Sequence, residues 1–123
     1  MLLRVLHTGI AVNDLDKAIE LYESLGFSIV NRFEKPEPKA HVATVRQGEA
    51  AYELWQFEDR EHPQVAYIKS HVAIYSDDLP GDIKKLTADG YTLVIPITEG
   101  VVLRYAFVQD VSGTCYEIAT EKS

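Results

Sequence analysis

The hydrophobic pattern of this chain changes period in the same order in each half. Residues 3–12 are dense in Val, Leu and Ile and read as a strand. In the following segment LDKAIELYESLGF, Leu15, Ala18, Ile19, Tyr22 and Leu25 recur at helical spacing and form one apolar stripe. Asn13 and Asp14 offer side-chain oxygens to cap that helix, and Gly26 stands where a left-handed C-terminal cap is wanted. Strands are predicted at about 27–33, 39–47 and 50–57, separated by the loop FEKPEPK and a turn around Gln47 and Gly48. Residues 58–66 (EDREHPQVA) read as a polar linker. The second half repeats the plan, with strands near 67–76, 91–98, 102–109 and 114–120. Its helix starts at Asp78, takes Pro80 in the first turn and ends near Gly90, and Asp110, Ser112 and Gly113 form the last turn.

The two halves superimpose at a displacement of 64 residues, with no gap expected. Asp14 maps to Asp78, Leu15 to Leu79, Ile19 to Ile83, Gly26 to Gly90, Phe27 to Tyr91 and Tyr52 to Tyr116. The reading is an α+β fold of two tandem βαβββ modules in a single domain: module 1 at 1–57, linker 58–66, module 2 at 67–123. Four short strands and one helix leave an apolar sheet face open, so each half needs a complement, either the other half or a second chain. A homodimer is expected on this ground.

The same displacement carries chemistry, because His7 maps to His71 and Glu53 to Glu117. Strand alternation puts His7 on a face with Gly9 and Ala11, and Glu53 with Ala51, Trp55 and Phe57. In the second half His71 shares its face with Ala73 and Tyr75, and Glu117 with Cys115 and Ala119. Each polar group is flanked by small or aromatic neighbours, the pattern of a lined pocket, where a carboxylate needs a cation or donor beside it. A single strand His is commonly a satisfied core side chain, and a single strand Glu commonly faces water. A matched set of two His and two Glu instead suits an octahedral divalent ion, with two positions left for water or substrate oxygens. Ala11 leaves space above the sheet, and Trp55, Phe57 and Tyr75 either line a substrate pocket there or pack in the core.

Net charge of −7 argues against nucleic acid, and no stretch approaches the roughly 18 apolar residues of a membrane span. The apolar run at Leu2, Leu3, Val5 and Leu6 is broken by Arg4 and His7, too short for a signal-peptide core. A single cysteine forms no internal disulfide, which fits a reducing compartment; a cytoplasmic protein is expected. Cys115 reads as a small buried apolar side chain. His41 and His62 have no counterparts in the repeat, and His62 is expected to be solvated in the linker. Arg46, Arg104, Lys35 and Lys39 read mostly as a solvated face, and Glu34–Lys39 as a lid or a plain connection.

The segments LHTGIAVNDLDKAIELYESLGF, YELW, SHVAIYSDDL and CYEIAT, spread over essentially the whole chain, resemble the vicinal oxygen chelate superfamily. The resemblance implies a curved, barrel-like mixed sheet around a central cleft. Within the superfamily the His–Glu–His–Glu order is most similar to the glyoxalase I (lactoylglutathione lyase) enzymes. By that resemblance His7, Glu53, His71 and Glu117 ligate nickel or zinc, or else manganese, cobalt or iron. The substrate would be a small molecule with two vicinal oxygens, isomerised through a metal-bound enediolate, with Glu117 as base and Glu53 as its counterpart. Glyoxalase I enzymes usually carry an arginine four residues after the first His and an asparagine four after the first Glu. Here those positions are Ala11 and Phe57, which removes hydrogen-bonding capacity and points away from glutathione toward a less polar substrate. Other activities of the superfamily offer rival readings: an extradiol dioxygenase or a fosfomycin-type thiol transferase, each using two His and one Glu, and a metal-free drug-binding module of the bleomycin-resistance type.

Overall fold

The computed structural model describes residues 1–122. The elements are β1 (Leu2–Ala11), α1 (Leu15–Ser24), β2 (Ser28–Pro36), β3 (Lys39–Gln47), β4 (Ala50–Phe57), α2 (Val65–Ile68), β5 (Ser70–Ser76), α3 (Leu79–Ala88), β6 (Thr92–Glu99), β7 (Leu103–Gln109) and β8 (Cys115–Glu121). The α+β class and the doubled βαβββ order are as expected. Among the described residues, no helix is long and apolar enough to cross a membrane.

Two compact units are formed, one of residues 7–70 and one of residues 1–6 with those from His71 onward. In the 7–70 unit the hydrogen-bonded strand order is β2-β3-β4-β1. Strand β1 pairs with β4 in parallel, while β3 pairs antiparallel with both β4 and β2. In the other unit the order from β5 is β5-β8-β7-β6, again with one parallel pair, β5 with β8, and two antiparallel pairs.

Both long helices start and stop for the same local reasons. The Asp14 carboxylate accepts from Lys17 N–H at 3.1 Å, and Asp78 accepts from Gly81 N–H at 3.2 Å, each satisfying a donor of the first turn. At the far ends Gly26 (φ 95°) and Gly90 (φ 101°) take the left-handed conformation. The next residues, Phe27 and Tyr91, then donate back to Tyr22 O and Leu86 O, both at 3.0 Å, closing Schellman motifs. Helix α1 buries Leu15 and Ile19 against Ala43, Val45 and Leu54; α3 buries Leu79 and Ile83 against Ala106, Val108 and Ile118.

These core sets correct the ungapped register. The helices and the last strands correspond at 64, but Ala43 and Val45 of β3 correspond to Ala106 and Val108 of β7 at 63. The strand pairing shows why: Ala43 faces Leu54 and Ala106 faces Ile118, but residues 47–50 turn between Arg46 and Ala51 where 110–114 turn between Gln109 and Cys115. The later turn has one extra residue.

Two further expectations change. The segment FEKPEPK is no loop: β2 continues to Pro36, paired Glu34 with His41, Lys35 with Ala40 and Pro36 with Lys39, leaving a turn at Glu37–Pro38. Pro36 is tolerated because β2 is an edge strand. Lys35, read as solvated, is buried. The polar linker is not all irregular: its last two residues, Val65 and Ala66, open α2, which takes in Tyr67 and Ile68. The helix closes with Lys69 N–H donating to Val65 O at 3.0 Å, so β5 begins at Ser70 and not at 67.

The second core also carries a polar pair where the first is apolar. Val12 and Ala18 of the first core correspond at 64 to Ser76 and Asp82. The Ser76 hydroxyl donates to Asp82 Oδ2 at 2.5 Å and accepts from Asp78 N–H at 3.1 Å. Burial works against the Asp82 carboxylate, but the Ser76 hydroxyl and the Met1 amine 2.9 Å away outweigh it and hold its pKa below the ordinary 3.8. A depressed carboxylate stabilises the fold above its unfolded pKa and loses that contribution as pH falls through the folded value. Ser76→Ala should therefore cost about 1–3 kcal/mol at neutral pH. The deficit should narrow below about pH 4. Urea denaturation at neutral and acid pH measures both.

Candidate metal centre

Each unit builds one His–Glu pair in the same way. In the 7–70 unit the parallel register sets Glu53 beside Gly9, two residues from His7; in the other it sets Glu117 beside Ala73, two residues from His71. The small residue opposite each carboxylate leaves room for the imidazole of the neighbouring strand. His7 (6% exposed) brings Nε2 to 3.3 Å from Oε1 of Glu53 (8%). His71 (3%) brings Nε2 to 3.1 Å from Oε1 of Glu117 (6%).

The supports of the two pairs differ. Trp55 Nε1–H donates to Glu53 Oε1 at 2.9 Å, and its ring stacks on Phe57 at 5.5 Å between centroids. His71 is met edge-on by Phe107, centroids 4.9 Å apart, and Phe107 is the register partner of Glu117 and packs on Tyr105 at 5.7 Å. Reading the sequence missed Phe107 and the donor role of Trp55. The usable signal for Trp55 was its i+2 spacing from Glu53 on one strand face.

Buried carboxylates need a compensating cation or donors. His7, Glu53, His71 and Glu117 each offer one ligand atom, an imidazole nitrogen or a carboxylate oxygen, and the set is suited to a metal ion. Two imidazole nitrogens and two carboxylate oxygens, with no thiolate among them, suit a divalent ion. Cys115, buried, is a free thiol whose pKa burial pushes up, in keeping with a packing role.

The remaining candidates are placed as follows. Phe57 is buried, Tyr75 is half-buried with the Arg4 guanidinium 4.7 Å from its ring centroid, and Ala11 is exposed at the end of β1, donating from its N–H to Lys69 O at 2.9 Å. His62 is not solvated: its side chain is 16% exposed, its Nδ1 accepts from Gln64 N–H at 3.1 Å and its Nε2 lies 3.1 Å from Glu37. His41 bridges Glu58 and Glu34, whose hydrogen bonds raise its pKa, Glu58 contributing the most. Lys39 pairs with Glu58 at 3.1 Å, Arg104 with Glu99, and Arg46 reaches Gly48 O at 3.5 Å.

Residues 4–118 match the model of the Glyoxalase/Bleomycin resistance protein/Dioxygenase superfamily. Lactoylglutathione lyase of Haemophilus influenzae is 32% identical over 132 residues, covering 98% of this chain and 95% of the relative. A probable lactoylglutathione lyase of Vibrio cholerae is 33% identical over 129 residues, covering 97% and 91%. Among solved structures, methylmalonyl-CoA epimerase of Mycobacterium tuberculosis superimposes with a TM-score of 0.82 at 24% identity, covering 98% of this chain and 89% of that one, a likeness of fold. The chain belongs to the glyoxalase/bleomycin resistance/dioxygenase, or vicinal oxygen chelate, superfamily. Members of this superfamily are mostly metal-dependent enzymes that act on small molecules.

Proposed function

We propose that this protein is a metal-dependent, glyoxalase-I-like lyase that isomerises a small substrate bearing two vicinal oxygens. The observation that carries the reading is the pair of matched, buried His–Glu contacts, supported by the lactoylglutathione lyase relatives. His7, Glu53, His71 and Glu117 would together hold one divalent ion, nickel or zinc by preference. Such an ion supplies Lewis-acid polarisation of the substrate oxygens.

The chain's own groups handle the proton. For a hemithioacetal, Glu117 takes the proton from the carbon bearing hydroxyl and sulfur, and the proton is returned to the adjacent carbonyl carbon. The hydroxyl hydrogen passes to the neighbouring oxygen, so the product thioester contains every atom of the substrate. Glu53, held by the Trp55 indole, keeps one oxygen engaged and serves as the counterpart rather than the base. Trp55 and Phe57 beside Glu53, and Tyr75 on the strand of His71, would each offer the substrate apolar contact, and Ala11 and Phe57 favour a thiol portion less polar than glutathione. The chain is assigned to the cytoplasm as a homodimer. Leu3 and Val5, 48% and 61% exposed on β1, are apolar surface that a second copy would cover.

The test assays nickel- and zinc-loaded protein on methylglyoxal hemithioacetals of glutathione and of a small apolar thiol. Isomerisation of both, faster with the apolar thiol, is expected; no turnover of either retires the lyase reading. Metal at about 100 times its Kd should add about 2.7 kcal/mol to stability. That gain should appear as a raised Tm that EDTA reverses, whereas a metal-free binding module would show no shift.

A further inference from the structure

The first unit packs three aromatic rings at the C-terminal end of α1. Tyr22 lies 5.2 Å from Phe27 and 5.4 Å from Tyr52, which are 5.8 Å from each other. Displaced by 64 residues, Phe27 becomes Tyr91 and Tyr52 becomes Tyr116, but Tyr22 becomes Leu86. Two rings of the trio remain, with centroids 6.3 Å apart, and the third is gone. Beside them is a cavity of about 160 Å³ lined by Leu2, Ile74, Leu86, Tyr91, Tyr116 and Ile118, among others. Leu2, 39% exposed, places its rim at the surface. An enclosed cavity of about 150 Å³ accepts a benzene-sized guest, and this surface recess has room for a ring of that size. Edge-to-face and offset contacts with two flanking rings add to the gain of burial.

We propose that this cavity is a binding site for a free monocyclic aromatic molecule of the size of p-cresol, the side chain that Leu86 replaces. It is separate from the His71–Glu117 pair. Ile74 and Ile118 have the opposite strand parity from His71 and Glu117, and they point to the α3 face with Leu79 and Ile83. The site therefore stands whether or not the metal reading does.

The test titrates p-cresol into the intact protein, followed by amide NMR shifts and calorimetry. Saturable binding with a Kd on the order of 0.1–1 mM is expected for a ligand this small, with shifts at Leu86, Tyr91 and Tyr116. Leu86→Tyr restores the trio from within and should weaken binding at least tenfold, with metal content unchanged; Leu86→Phe should do the same if the tyrosine variant folds poorly. Tyr22→Leu should open a second site and double the bound equivalents. Failure of p-cresol to saturate, shifts confined to other residues, or unchanged affinity in Leu86→Phe would each overturn the proposal.

Discussion

Glu117→Gln should lower turnover of the hemithioacetal by about 10²–10⁴-fold while the protein keeps its fold and much of its metal. The amide retains a carbonyl oxygen for coordination and nearly the same volume, so the buried contact with His71 loses charge but not shape. What it cannot do is accept a proton at neutral pH. The matching change in the first half, Glu53→Gln, should cost less. Its carbonyl still accepts from the Trp55 indole, which at 2.9 Å already commits one oxygen to a fixed position. Kinetics paired with mass-spectrometric metal content separate the two roles, and exchange of the substrate carbon-bound proton with deuterated solvent reports the abstraction step directly. A Glu53→Gln variant slower than Glu117→Gln would reverse the assignment of base and counterpart. A Glu117→Gln variant with full exchange would remove Glu117 from the chemistry.

The parts of the fold that a single chain displays plainly are those with a period and a marked end. Leu15, Ile19 and Tyr22 before Gly26, and Leu79, Ile83 and Leu86 before Gly90, state two helices, because only a stripe at that spacing buries one face and only glycine takes φ near 100° without strain. The one-residue offset of β7 escaped because it is compensated: residues 110–114 lengthen one turn after an earlier segment has lost a residue, and the His and Glu markers all lie on strands that keep the displacement of 64. The apolar run Val65–Ile68 suits either a helical turn or the start of a strand, and only long-range hydrogen bonding decides between them. Residue types at the candidate site were readable, since a doubled His and Glu are visible to inspection. Their supports were not. The i+2 spacing puts Trp55 on the face of Glu53, but whether its indole turns to donate is a matter of rotamer, and whether Phe107 meets His71 edge-on depends on register across strands.

His7→Ala should reduce bound metal from about one ion per chain to a small fraction of that. His71→Ala should do the same to the same degree, because each deletes one of the two imidazoles in the proposed set. Loss of a residue that merely supports a ligand already weakens metal binding about 10–100-fold, and loss of the ligand itself should exceed this. The variants differ from a general loss of structure in a measurable way. His7→Ala leaves Glu53 buried with the Trp55 indole still donating to it, so the emission of Trp55, the chain's only tryptophan, should remain that of a buried indole. In the parent protein nickel should quench that emission, since the proposed ion is held by the carboxylate to which the indole donates; in His7→Ala the quenching should require far more nickel. Equal disappearance of metal from both histidine variants is the result a single shared centre demands. If removing His7 emptied the site while removing His71 left it filled, the ion would belong to one half alone, and the repeat would be a relic of duplication rather than the means by which four ligands are supplied.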